Sequence, residues 1–195
     1  MIPPNHRKTV RHFDEPGNVH ELTFSCYQRL PLLTDDGRRR LFCQAVTAAT
    51  ERHAYRLFAF VIMPEHVHLI VHPGPEAGTI SELLNAIKRP FSFRVKKALQ
   101  ELGDEELLAR LTIRQRPGVE TFRFWQEGPG YDRNLTEPKT IEMAIDYVHT
   151  NPVRRGLCLR AIDWRWSSAR FHLLSMSEVD SDLPRLSPIP PELLH

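Results

Sequence analysis

The sequence predicts an α+β domain, an antiparallel sheet with helices packed on it. Three observations lead to this prediction. The 195 residues suffice for one packed domain. Apolar residues at 41% and charged residues at 26% are globular proportions. Segments of strand period alternate with segments of helical period, and they place the domain at residues 19–172, after a flexible lead-in (1–18) and before a tail (173–195).

The first elements are predicted from propensity and periodicity. Residues 19–27 are rich in strand formers. A threonine or aspartate cap then begins a helix that runs to about residue 53. Residues 57–63 and 66–72 are apolar runs of strand length, and they are predicted to pair as a hairpin.

The next helix begins at a capping box, because Thr79 is followed three residues later by Glu82. Pro90 is expected to kink or end this helix, and residues 91–102 are predicted to continue it. Residues 103–120 are less regular and are predicted to be an insertion.

Residues 121–126 alternate and are predicted to be the fourth strand, whereas 131–135 are expected to be a short extended piece. Pro138 starts a helix that is expected to end near residue 150 or 151, because Pro152 disfavours helical torsions in the residue before it. The order strand, helix, strand, strand, helix, strand predicts a ferredoxin-like sandwich with helices on one face of the sheet.

Charge, cysteines and hydropathy narrow the class of protein. The net charge is only +2, but lysines and arginines occur in clusters. The three cysteines are widely spaced, which predicts free thiols in a reducing compartment. No apolar run approaches the roughly 20 residues of a membrane span, and the first residues lack a signal core. We therefore expect a cytoplasmic protein without a membrane partner.

The two histidines of His66-Val67-His68 are predicted metal ligands. Residues two apart on a strand project from the same face, so both imidazoles face one point. Neutral imidazoles bind divalent metals, including zinc, nickel and copper. His72 is a further histidine on that face. The alternative is that the histidines are hydrogen-bonded core residues.

The last predicted helix carries Tyr147 and Asn151, four residues apart and therefore on one side of the helix. The Asn151 amide oxygen could complete a metal site, and Tyr147 is a nucleophile candidate for a metal-bound phosphate. His149 lies on a different side. The alternatives are an amphipathic tyrosine at a helix edge and an asparagine that ends a helix.

Several motifs resemble those of a known family. The segment 63–69 resembles the HUH motif (histidine, bulky apolar residue, histidine) of single-tyrosine transposases. Residues 145–157 resemble the tyrosine helix of the REP-associated branch of that family. Further similar stretches follow in the expected order, at 23–33, 124–133 and 163–170.

The resemblance implies a ferredoxin-like HUH endonuclease that transposes DNA and acts on single-stranded or hairpin DNA, as a monomer or homodimer. It implies that Tyr147 attacks the phosphate and forms a 5′-phosphotyrosine bond. It further implies that His66, His68 and Asn151 hold Mg²⁺ or Mn²⁺, and that the protein is associated with the nucleoid.

With such a site, the basic clusters become predicted contacts to the DNA backbone. The predicted contact residues are Lys88, Arg89, Arg94, Lys96, Lys97, Arg154 and Arg155. Trp164 and Trp166 could stack on bases, but core packing is the favoured role.

Two other functions remain open. A metallo-β-lactamase-type hydrolase has the pattern His-x-His-x-Asp-His, and this chain has Ile70 at the aspartate position. A non-catalytic relative that binds hairpin DNA without cutting it is the second, although His66, His68, Tyr147 and Asn151 are all present.

Overall fold

A computed structural model of the protein describes residues 17–128, 130–174 and 180–194. The predicted α+β fold is confirmed: four antiparallel strands form a sheet in the order β2-β3-β1-β6, with helices packed on it. The strands are β1 (Val19–Ser25), β2 (Tyr55–Ile62), β3 (His66–Pro73), β4 (Thr112–Arg116), β5 (Val119–Phe122) and β6 (Tyr131–Leu135). The helices are α1 (Asp36–Arg52), α2 (Ile80–Leu102), α3 (Glu105–Leu111), α4 (Pro138–Arg154) and α5 (Ala169–Leu173).

Helices cover both faces of the sheet, not one face as the sequence predicted. Leu22 and Phe24 of β1 belong to a core that includes Phe42 of α1 and Ile87 of α2. On the opposite face, α4 packs through an apolar stripe into a second core. That stripe consists of Ile141, Ala144, Ile145 and Val148. Most residues of β1, β2 and β3 are buried on whichever face they project from, so periodicity could not show that a second layer existed.

The predicted fourth strand is wrong. The strand that completes the sheet is β6, which pairs with β1 and which the sequence indicated only as an extended piece. Within residues 121–126, Thr121 and Phe122 pair instead with β4, in a separate hairpin, and Trp125 makes only an isolated bridge to Cys26, just after β1. Alternation of side chains is the same in either pairing, so it cannot choose the partner strand. The predicted insertion at 103–120 therefore contains α3 and most of this hairpin.

Two prolines lie inside helices. The helix α2 continues through Pro90 to Leu102, and α4 continues past Pro152 to Arg154, beyond the predicted end. Pro152 is itself buried, and Arg155 N–H donates to the Asn151 carbonyl, so the last turn stays closed. Burial of the apolar face of α4 offsets the backbone hydrogen bond that the proline removes.

The described part of the C-terminal segment packs against the domain. Asp182 forms ion pairs with Arg40 of α1 and with Arg165, and Ser187 N–H donates to the Leu57 carbonyl. The division into lead-in, domain and tail stays a prediction, and residues 1–16, 129, 175–179 and 195 lie outside the described residues. Across the described ranges, no helix combines the length and apolarity needed to cross a membrane.

Candidate functional site

The strand β3 places His66 and His68 on the face of the sheet that α4 covers. Both residues are buried, at 6% and 5% exposure. Their Nε2 atoms lie 3.1 Å apart, with the rings nearly perpendicular at 79°. The two Nε2 atoms therefore converge on one point, as the sequence predicted for a His-x-His on a strand.

The opposite nitrogen of each ring is held by a neighbouring side chain. His66 Nδ1 lies 3.1 Å from Glu65 Oε1, and His68 Nδ1 lies 2.8 Å from Thr23 Oγ1. A carboxylate accepts a hydrogen bond from Nδ1–H, so Glu65 selects the His66 tautomer that is protonated at Nδ1 and keeps a free lone pair at Nε2.

Burial keeps both imidazoles neutral. It lowers the pKa of His66, against the raising effect of Glu65. Burial, together with the neighbouring charge of His66, lowers the pKa of His68 to about 3. At neutral pH the two rings are therefore lone-pair donors rather than cations.

The helix α4 brings Asn151 and Tyr147 to the same point. Asn151 Nδ2 lies 3.1 Å from His68 Nε2. The Tyr147 ring is 5.6 Å from the His68 ring and is 41% exposed. The Arg154 guanidinium stands over the Tyr147 ring at 5.1 Å, so a cation lies beside the phenol. Residues 147, 151 and 154 recur at helical spacing on one side of α4.

Glu65 also ties the sheet to the end of α4. Arg155 Nη1 lies 2.9 Å from Glu65 Oε1, and Arg29 Nη2 lies 3.9 Å from the same oxygen. Burial alone raises the pKa of the Glu65 carboxyl, but the neighbouring His66 imidazole and the positive charge of Arg155 outweigh it and hold that pKa below its ordinary value. An ionised carboxylate thus links the histidine strand to the tyrosine helix.

The donor set fits a divalent cation with oxygen and nitrogen ligands. Neighbouring ligands of an octahedral ion with bonds of about 2.1 Å are about 3 Å apart, close to the 3.1 Å separations of both Nε2–Nε2 and Nε2–Nδ2. An Asn151 amide rotated by 180° presents its oxygen where Nδ2 lies. Within the described ranges no group of three or more histidine, cysteine and carboxylate side chains is placed to hold a metal, so such a site needs this amide.

Other predicted residues lie elsewhere. His149 Nε2 bonds Ser168 Oγ at 2.8 Å, and burial lowers the pKa of His149 to about 3, so this ring faces the domain interior. Trp166 is buried in the core, and the Trp164 indole N–H donates to the Ile62 carbonyl, which agrees with the packing role. His72 stacks on Phe58 instead of approaching the histidine pair.

The basic residues separate into two groups. Arg154 and Arg155 line a cavity of about 430 Å³ together with His66, His68 and Tyr147. The α2 residues belong to the other layer of the domain: Lys88 Nζ lies 4.5 Å over the Phe24 ring on the α1/α2 side of the sheet. These α2 residues are Lys88, Arg89, Arg94, Lys96 and Lys97.

Sequence reasoning missed three side chains of this site. Thr23, Glu65 and Arg29 contact or flank the histidine pair. Glu65 directly precedes His66, so its position was a usable signal. Thr23 pairs with His68 across two strands, which only the register reveals. Arg29 lies beside the histidine pair because its own backbone, shortly after β1, is in the left-handed region with φ of 55°. Sequence periodicity does not predict this conformation.

Comparison with known proteins identifies the family. A protein of Haemophilus influenzae named as a REP-associated tyrosine transposase is 23% identical over 131 residues, which cover 67% of each chain. A solved structure of a REP-associated tyrosine transposase bound to a REP hairpin covers 94% of each chain with a TM-score of 0.65 and 18% identity, a likeness of fold. The model of the family described as "Transposase IS200 like" matches residues 18–151. The chain therefore belongs to the IS200-like transposase family.

Proposed function

We propose that this chain is a metal-dependent endonuclease and strand transferase that cuts and rejoins single-stranded DNA through a 5′-phosphotyrosine intermediate, as the chemical step of DNA transposition. One observation carries the proposal. Tyr147 is the exposed phenol next to two buried, neutral imidazoles and an amide whose donor atoms converge within hydrogen-bonding distance of one another. Such a set binds a cation and a phosphate beside a nucleophile.

In the first step the Tyr147 Oη attacks the phosphorus of the scissile phosphodiester. The P–O3′ bond breaks, the phosphate stays on the 5′ oxygen of the downstream strand, and the 3′ oxygen leaves with the proton that the phenol gives up. The phenol loses its proton as it attacks, so a neighbouring positive charge favours the reaction by stabilising the negative charge that develops on Oη. Arg154, 5.1 Å from the ring, supplies that charge.

His66, His68 and Asn151 would hold Mg²⁺ or Mn²⁺, which when bound polarises the scissile phosphate and orients it. Glu65 and Thr23 keep the imidazoles oriented, through contacts of 3.1 Å and 2.8 Å to the two Nδ1 atoms. Arg155, half-exposed beside Glu65, contributes a positive charge to the cavity.

The second step is the reverse reaction with a new partner. A 3′-hydroxyl attacks the phosphotyrosine, the new P–O3′ bond forms, and the phenol recovers its proton. No outside energy source is needed, because the ester retains the energy of the broken bond. This chemistry supports joining as well as nicking.

The substrate we propose is hairpin DNA with a single-stranded flank, by analogy with the relative whose structure holds a REP hairpin. Arg154 and Arg155 would contact phosphates next to the cut. The basic residues of α2 would contact the backbone of duplex DNA that extends along the α1/α2 side of the domain; they are Lys88, Arg89, Arg94, Lys96 and Lys97. Because the proposed substrate is DNA, we propose that the protein is associated with the nucleoid. Its proposed oligomeric state is a monomer or homodimer.

The test is covalent capture. Hairpin oligonucleotides taken from the DNA that flanks the gene are incubated with wild type or Tyr147→Phe, with and without Mn²⁺, and the products are separated under denaturing conditions. We expect a protein–DNA adduct only with wild type and Mn²⁺. An adduct in Tyr147→Phe, or none in wild type, rejects the proposal. Hairpin binding without any adduct would indicate instead a relative that binds but does not cut.

A further inference from the structure

A second, larger cavity opens beside Tyr147. It has a volume of about 940 Å³, lies between α4 and the strands β1 and β6, and shares His68, Tyr147 and Arg154 with the cavity at the histidine pair. We call this second cavity the lateral groove. Its remaining charged and aromatic lining residues are Glu21, Tyr131, Arg133 and Asp146.

The pairing of β1 with β6 determines which side chains face the lateral groove. Thr23 is opposite Tyr131, and Glu21 is opposite Arg133. Paired residues of antiparallel strands project from the same face of a sheet. Because Thr23 Oγ1 contacts His68 Nδ1, that face is the one with the histidine pair. Tyr131 and Arg133 therefore stand on the same side of the sheet as Tyr147.

The exposed ring and the arginines favour nucleic acid as the occupant. Tyr131 is 52% exposed, and an exposed aromatic ring next to cations is the arrangement on which single-stranded bases stack. Arg133 and Arg154 can each contact a backbone phosphate. These groups lie next to Tyr147, so a strand whose phosphate reaches Tyr147 also reaches the lateral groove.

The carboxylate of Glu21 determines whether the base or the phosphate of a nucleotide can lie in the inner part of the lateral groove. The residue is 7% exposed, the charge of Arg133 on the paired strand acts on its carboxylate, and His68 Nδ1 is 3.8 Å from Oε1. The carboxylate oxygens are hydrogen-bond acceptors at the wall of the lateral groove, so a ligand that donates hydrogen bonds can pair with them. The carboxylates of Glu21 and Asp146 repel phosphate. The DNA backbone is therefore expected near Arg133 and Arg154, with a base turned towards Glu21.

We propose that the lateral groove binds one unpaired nucleotide next to the phosphate that Tyr147 attacks, with Tyr131 stacked on its base and Glu21 accepting hydrogen bonds from the edge of that base. Guanine fits best, because its Watson–Crick edge carries two adjacent N–H donors that match the two carboxylate oxygens. This inference rests on the proposed function, since it takes the cut strand past Tyr147.

The experiment measures binding without cleavage. Fluorescein-labelled hairpins carry a single-stranded thymine flank in which one position is replaced by guanine, adenine or cytosine, and that position is moved along the flank. Dissociation constants are measured by anisotropy in EDTA for wild type, Tyr131→Ala, Tyr131→Phe, Glu21→Gln and the control Phe93→Ala. Phe93 is a matched control because it is an aromatic residue that is 69% exposed on α2, in the other layer.

Wild type is expected to bind about tenfold tighter when guanine occupies one particular position. Glu21→Gln should lose that preference. Tyr131→Ala should weaken binding to every probe on the order of tenfold, and Tyr131→Phe should restore it. Circular dichroism establishes that each variant is folded. A wild type with no base preference at any position, or a Tyr131→Ala that binds like Phe93→Ala, overturns the proposal.

Adduct formation by wild type on the same probes with Mn²⁺ separates this inference from the proposed function. If the guanine preference is present while wild type forms no adduct, the nucleotide site stands and the enzymatic function fails. If wild type forms the adduct but shows no preference, the enzymatic function stands and the nucleotide site fails.

Discussion

Glu65→Gln tests the connection between the histidine strand and the tyrosine helix. The carboxylate accepts from His66 at 3.1 Å and pairs with Arg155 at 2.9 Å, and it is almost fully buried. Hydrogen bonds to a charged group contribute about 1.5–3 kcal/mol each. The glutamine side chain still has an oxygen that accepts from His66, and water can solvate the half-exposed Arg155 guanidinium. Only part of this hydrogen-bond free energy is therefore lost.

We therefore expect the free energy of unfolding to fall by about 1–2 kcal/mol, which is roughly 2–8 °C in melting temperature for a chain of this length. Urea unfolding followed by tryptophan fluorescence measures the change. Glu101→Gln is the matched control, because Glu101 makes only an exposed pair with Lys97 at 3.5 Å on α2, and its loss should cost less than about 0.5 kcal/mol.

The same variant gives a functional readout. Residues that orient metal-bound histidines typically change metal affinity about 10- to 100-fold when they are replaced. Half-maximal adduct formation by Glu65→Gln should therefore need about 10- to 100-fold more Mn²⁺ than wild type. If Glu65→Gln unfolds at the urea concentration of wild type and needs no more Mn²⁺, the role assigned to Glu65 is wrong.

Three further predictions concern the core, the half-buried Lys88 and the metal site. Phe42→Ala should lower the free energy of unfolding by about 3–5 kcal/mol, because the ring is fully buried between Phe91 and Trp125; a loss below 1 kcal/mol in urea unfolding would contradict this packing. Burial lowers the pKa of Lys88 to about 8, whereas an unfolded lysine titrates near about 10.4. Between about pH 8 and about pH 10 the unfolded state therefore binds more protons at Lys88 than the folded state does. The free energy of unfolding of wild type should rise relative to that of Lys88→Met as the pH increases from about 8 to about 10. An equal difference in unfolding free energy at pH 7 and pH 10 would contradict it. Asn151→Ala should abolish Mn²⁺-dependent cleavage while hairpin binding, measured by anisotropy, is kept; unchanged cleavage would remove Asn151 from the metal site.

The local features of the chain could be predicted from its sequence. The capping box at Thr79 and Glu82 and the helix start at Pro138 are both present in the structure. The strand alternation also predicted that His66 and His68 share one face, and the helical spacing predicted that Tyr147 and Asn151 share another, as the structure shows. These features depend only on torsions and on the periods of helix and strand, which neighbouring residues determine.

Tertiary contacts decided the rest. Both 121–126 and β6 alternate equally well, but β6 pairs along β1, whereas in 121–126 only Trp125 bridges the chain, at Cys26 just after β1. The continuation of α4 through Pro152 depends on burial against the sheet, which outweighs a local preference.

The sequence thus determined which side chains share a face, and the tertiary structure decided what each face meets. Tyr147 approaches His68 because α4 packs on the sheet face opposite α1 and α2, and Glu65 reaches Arg155 for the same reason. Periodicity indicates that a face is buried, but the partner of that face is determined by contacts between residues about 80 to 90 positions apart, which only the folded chain establishes.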